Sequence, residues 1–114
     1  MSPAKTVEEY FEILKKFARQ KGLIFHPDEG IVLPLVEGLF ANIQRYRYPS
    51  CPCRLASGSI ESDRDIICPC EYAEPDIRDF GQCYCNLYVS QEVALDPSKA
   101  QTVPERRPPE KFDL

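Results

Sequence analysis

The 114-residue chain has no run near the roughly 18 apolar residues that a membrane-spanning helix needs, which excludes such a span. It has no excess of basic charge either: 18 acidic against 14 basic residues give a formal charge of -4, contrary to a general binder of nucleic acid. Histidine occurs once, as His26. It stands beside Pro27 and Asp28, far in sequence from every cysteine, and reads as a loop residue preceding a helix cap rather than a metal ligand. The length leaves room for one small domain and none for a separate cofactor domain. The N-terminus, MSPAKTVEEYFEILKK, is too acidic and amphipathic for a secretory signal, so the expectation is an unexported, cytoplasmic protein.

What is present is ordinary globular composition, 43% hydrophobic and 28% charged, with six cysteines added. Val7, Tyr10, Phe11, Leu14, Phe17 and Ala18 recur at helical spacing, Thr6 and Glu9 form a capping box, and Gly22 supplies a stop. Val32, Val36, Leu39, Phe40 and Ile43 predict a second helix capped by Asp28, ending near Arg45, with Pro34 in its first turn. A short helix is expected within 60–67 and a short apolar piece over 86–93. The span from Cys51 to Cys85 otherwise reads as loops and helical turns. The last stretch is rich in proline, so the division expected is a domain over 1–95 and an extended arm or tail over 96–114.

The cysteines fall as Cys51-Pro52-Cys53, Cys68-Pro69-Cys70 and Cys83-Tyr84-Cys85. Soft thiolates grouped in this way select zinc, copper(I) or iron-sulfur centres. Structural zinc usually has two to four residues between paired cysteines, not one. A 4Fe-4S cube presents separate iron corners that two thiolates on a short, proline-stiffened turn can reach. A secreted three-disulfide scaffold would also use six cysteines, but the N-terminus argues against export. A cube takes four thiolates and leaves two, either inert or a redox dithiol. Counting alone leaves open which four bind.

These motifs, with Arg54 directly after the first pair and helices upstream, resemble the catalytic subunit of ferredoxin:thioredoxin reductase. The resemblance implies a mainly α, small multihelical single domain wrapped around a 4Fe-4S cluster. It implies Cys51, Cys68, Cys70 and Cys83 as cluster ligands, and Cys53 with Cys85 as the redox-active disulfide. It further implies a ferredoxin-like electron donor, a thioredoxin or similar protein as substrate, and in plant-type enzymes a small second subunit. Ferredoxin supplies one electron at a time while a disulfide takes two. The family therefore keeps Cys85 beside the cluster and frees Cys53 to attack the target. One position departs from the pattern: Tyr84 replaces the family's histidine, and a phenol with pKa near 10 is a poor proton carrier at neutral pH.

Beyond the cysteines, Arg54 is expected either to favour the Cys53 thiolate or to be a surface residue. Arg45, Arg47 and Arg54, with no acid between Gln44 and Arg54, suggest either a positive rim that steers an acidic ferredoxin or a solvated helix end. Tyr46 and Tyr48 are expected to pack in the core or at its rim. Glu61, Asp63, Asp65 and Glu71 read as solvated loop acids. Two other functions fit a thiol cluster: a structural zinc-binding interaction module, and an iron-sulfur electron carrier without thiol chemistry.

Overall fold

A capping threonine opens the first helix of the computed structural model, which describes residues 5–111. In α1 (Val7–Lys21) the Thr6 hydroxyl accepts from the Glu9 amide at 3.1 Å, and Gly22 ends the helix at φ +71°. The Glu9 carboxylate accepts from the Lys5 amide at 2.8 Å, so the reciprocal half of the box is displaced by one residue. Tyr10, Leu14 and Ala18 form the buried stripe. A short strand, β1 (Ile24–Phe25), leads to α2 (Glu29–Tyr46), capped by Asp28, whose carboxylate accepts from the Gly30 amide at 2.8 Å.

Pro34 is the sixth residue of α2, in its second turn and not the first. Its ring removes the amide that would bond the Gly30 carbonyl. Gly30 is exposed, so that carbonyl stays open to solvent and the helix continues to Tyr46. Val32, Val36, Leu39 and Phe40 are buried against α1, with the Tyr10 and Phe40 rings 5.9 Å apart.

Beyond Tyr48 the chain forms α3 (Ile60–Asp63), a 3-10 turn (Arg64–Ile66), α4 (Ala73–Phe80), β2 (Tyr88–Val89) and α5 (Gln91–Leu95). The helix expected within 60–67 is present as α3 and its 3-10 turn. α4 lies in the stretch expected to be loops. Pro75 occupies its first turn, where a missing amide costs nothing, and Gly81 closes it at φ +85°. β1 and β2 pair antiparallel with Ile24 opposite Val89 and Phe25 opposite Tyr88, and the Phe25 and Tyr88 rings lie 5.3 Å apart. The domain is small and mostly helical with few strands. Among the described residues no helix is long and apolar enough to cross a membrane.

Two loop acids are not solvated. Asp63 and Asp65 are buried, 1% and 3% exposed, whereas Glu61 and Glu71 are exposed as expected. A buried carboxylate needs donors, and each has them. Asp63 accepts from the Tyr48 hydroxyl at 2.5 Å, the Ser57 amide and hydroxyl, each at 2.9 Å, and the Gly58 amide at 3.3 Å. Asp65 accepts from the Tyr72 hydroxyl at 2.7 Å and from Arg107 Nε at 2.8 Å and Nη2 at 3.2 Å. Arg107 belongs to a C-terminal segment in which Val103 and Arg107 are buried and three successive side chains form ion pairs. Glu105 pairs with Arg54 at 2.7 Å, Arg106 with Asp76 at 2.8 Å and Asp79 at 2.9 Å, and Arg107 with Asp65.

Burial alone would raise both carboxyls, but the bonds from Tyr48 and Ser57 hold Asp63 below the ordinary carboxylate range, and those from Arg107 and Tyr72 do the same for Asp65. As pH falls, protons therefore bind the unfolded chain first. The stability these groups contribute is whole above the unfolded aspartate pKa of about 3.9 and is lost as pH drops through the lower folded values. Urea unfolding midpoints should be level from pH 7 to about 5 and fall by pH 3; equal midpoints would refute this. Arg107→Met, which leaves the buried Asp65 charge with only the Tyr72 hydroxyl and the more distant Lys111 ammonium at 3.9 Å, should cost about 3–5 kcal/mol by the same measurement.

Candidate active site

The three cysteine pairs are placed by two backbone junctions. Ser50 and Ile67 form an isolated antiparallel bridge, the Cys51 amide donates to the Ile66 carbonyl at 2.7 Å, and the Cys68 amide donates to the Pro49 carbonyl at 2.8 Å. The two Cys-Pro-Cys motifs thus leave a common junction from its opposite ends. The third pair sits on a turn tied to the end of β2: the Cys83 amide donates to the Tyr88 carbonyl at 3.0 Å and the Asn86 amide to the Cys83 carbonyl at 2.9 Å, with Asn86 at φ +72°. Helix α2 supports the first pair directly. Gly38 lies so close to Pro52 that a β-carbon there would be 2.9 Å from the Pro52 Cβ.

Five sulfurs converge. Cys51, Cys68, Cys70, Cys83 and Cys85 line one cavity with Arg54, Tyr84, Leu87 and Tyr88. The cavity is narrow, about 10 Å³. Cys53 is the exposed member of the six, while Cys51, Cys83 and Cys85 are buried. Cys51 Sγ and Cys85 Sγ are 2.7 Å apart, and the Cys53 thiol lies within hydrogen-bonding reach of both. Hydrogen bonds from Cys51 and Cys85 hold Cys53 far below the usual thiol range, at about 4. The same contacts push Cys85 up, aided by burial, and Cys53 also pushes Cys51 up. Burial, then the neighbouring Cys83, Cys51 and Cys70, push the Cys68 thiol up, and burial does the same for Cys70 and Cys83.

Arg54 is not a surface residue; its charge helps to favour the Cys53 thiolate, as expected, but its hydrogen-bonding edge faces Cys70 and Cys51. Its side chain is 1% exposed, it is paired with Glu105, and Nη1 lies 3.4 Å from Cys70 Sγ and 3.8 Å from Cys51 Sγ. Its guanidinium carbon stands 4.4 Å from the centre of the Tyr84 ring. Only Arg45 and Arg47 of the three expected rim bases are exposed, so a positive rim that includes Arg54 is not formed. Tyr46 and Tyr48 pack together with ring centres 6.0 Å apart. His26 accepts from the Asp28 amide at 3.0 Å through Nδ1, in the loop role expected. Glu105, 51 residues from Arg54, had no signal in the sequence.

Residues 2–107 match the family model of the ferredoxin thioredoxin reductase catalytic beta chain. The chain belongs to this family. No curated protein matches it. Catalytic chains of the family are oxidoreductases and iron-sulfur proteins. Among the described residues no three or more His, Cys, Asp or Glu side chains converge to hold a single metal ion; the sulfurs are spread over the walls of their cavity.

The Gly38 contact is open to test. Gly38→Val forces its new β-carbon onto Pro52, and overpacking of this kind costs about 1–3 kcal/mol. Thermal unfolding should register the loss, and iodoacetamide should label Cys53 at an altered rate. An unchanged labelling rate would show that α2 does not set the first pair.

Proposed function

We propose that the chain is an iron-sulfur disulfide reductase that takes single electrons from a ferredoxin-like donor and reduces thioredoxin or a similar small protein. The observation that carries this reading is the split in exposure: Cys53 is the one exposed thiol, Cys51, Cys83 and Cys85 are buried, and Cys68 and Cys70 are half-buried. A protein disulfide reaches only an exposed sulfur. Cys53 is therefore assigned as the nucleophile and Cys85 as its partner. The 2.7 Å contact brings Cys51 nearer to Cys85, but Cys51 is 3% exposed and out of reach of a protein substrate.

Cys51, Cys68, Cys70 and Cys83 are assigned as holders of a 4Fe-4S cluster. The donors suit it: four soft sulfurs lining one cavity, three raised chiefly by burial, so that ionising them together calls for a cation among them. Among the described residues the buried Tyr88 hydroxyl has no nitrogen or oxygen partner and lies against Cys68, where it suits an ionised sulfur. Donor identity and burial support the assignment rather than a ready hollow, given the narrow cavity. A bound cluster would supply single electrons to the neighbouring disulfide.

In the reaction proposed, the Cys53 thiolate attacks one sulfur of the target disulfide, forms a mixed disulfide and expels the first target thiolate. The Cys85 thiolate attacks Cys53 Sγ, forms the Cys53–Cys85 disulfide and releases the second target thiolate, and two protons complete the target dithiol. Two electrons, delivered singly, and two protons return Cys53 and Cys85 to thiols. The family's small second subunit and a reducing, cytoplasmic setting complete the proposal.

Oxygen-free protein should contain four irons and labile sulfide per chain; zinc without iron would instead identify a structural zinc module. Cys53→Ser should retain the cluster and lose disulfide reduction, and Cys68→Ser should lose the cluster. If Cys53→Ser loses the cluster while Cys51→Ser keeps it, the roles of the first pair are reversed. Mass spectrometry with alkylation before and after reduction should find a Cys53–Cys85 link, which a simple electron carrier lacks.

A further inference from the structure

Tyr84, which departs from the family pattern, is one wall of a cage around a single cation. The Arg54 guanidinium meets Glu105 with two nitrogens, Nε at 3.0 Å from Oε2 and Nη2 at 2.7 Å from Oε1. The Tyr84 and Tyr72 ring centres stand 4.4 and 5.2 Å from its carbon, both within cation–π range. Tyr72 is fixed in turn by its hydroxyl on Asp65, and Glu105 by the Arg107 amide at 2.9 Å. The remaining nitrogen, Nη1, faces Cys70 and Cys51.

This arrangement uses what distinguishes arginine from lysine: a planar fork that binds a carboxylate on one edge, stacks on rings by its faces and leaves a donor on the other edge. The side chain is 1% exposed, against 25% for Glu105, so solvent screens the carboxylate more than the cation. The sulfurs therefore feel a net positive charge held at fixed distance. Groups that hydrogen-bond to ligand sulfurs and the charge around them set the potential of a sulfur-ligated centre. Reduction adds negative charge, and a fixed cation beside two ligand sulfurs favours the reduced form.

The geometry points to Arg54 as a positioning residue that raises the reduction potential of the centre held by the cysteines, with Tyr84 serving to keep the guanidinium aimed at Cys51 and Cys70. The inference rests on the cluster reading given above. It gives Tyr84 a task that requires a ring face and no proton transfer.

The test is anaerobic potentiometric titration of the cluster absorption in the purified full chain, with iron and sulfide measured in every variant. Arg54→Gln should shift the reduced-to-oxidised ratio at fixed applied potential roughly tenfold toward oxidised, the scale of one charge-assisted hydrogen bond and equal to about 59 mV for one electron. Arg54→Lys, which keeps the charge, should lie closer to the wild type. Tyr84→Phe should leave the potential unchanged and Tyr84→Leu should shift it in the same direction as Arg54→Gln. A loaded Arg54→Gln protein with lower thermal stability but the wild-type potential overturns the inference and leaves the cluster reading intact. Where Arg54→Gln does not load, equal potentials for Tyr84→Leu and Tyr84→Phe overturn it. Absence of iron and sulfide from the wild type overturns the cluster reading itself.

Discussion

Two buried carboxylates hold the cysteine-bearing loops where a helix or a sheet would otherwise do so. Between Arg47 and Ala73 the backbone has one four-residue helix and one 3-10 turn. Few of its polar groups can satisfy one another, and a segment of this kind keeps its shape only if side chains accept in their place. Asp63 gathers donors from Tyr48, Ser57 and Gly58, tying the end of α2 to the loop after the first pair. Asp65 gathers Tyr72 and Arg107, tying the second pair's flank to the C-terminal segment. Each carboxylate is worth keeping ionised in the interior only because it serves several segments at once.

The C-terminal segment extends this logic to the sulfurs. Glu105, Arg106 and Arg107 each meet an opposite charge from a different part of the chain. Through Glu105 the tail reaches Arg54, and through Arg54 it reaches Cys70 and Cys51. The sulfurs themselves divide by burial rather than by motif. Within the first pair one residue separates the buried Cys51 from the exposed Cys53, so the proline between them turns one thiol inward and its neighbour outward.

The helices α1 and α2 were legible because an amphipathic stripe opened by a capping side chain is a local signal. The cysteine spacing was legible for the same reason, since three short motifs cannot be mistaken for composition. α4 was hidden because Pro75 resembles punctuation until its place in the first turn is known. Asp63 and Asp65 were misread because a loop acid looks the same in sequence whether water or Tyr48 and Arg107 surround it. Arg54 was half legible: its position after the first pair marked it, but the residue that captures it lies 51 positions away. Periodicity reports on neighbours along the chain and is silent on partners brought together by folding.

The bridge between Ser50 and Ile67 joins two sister motifs at their roots. Any thermal displacement of one Cys-Pro-Cys is thereby shared with the other, as two fingers of one hand move with the palm. The Cys83-Tyr84-Cys85 turn hangs from a separate anchor at β2. Cys53 and Cys85 are thus carried by different backbone anchors.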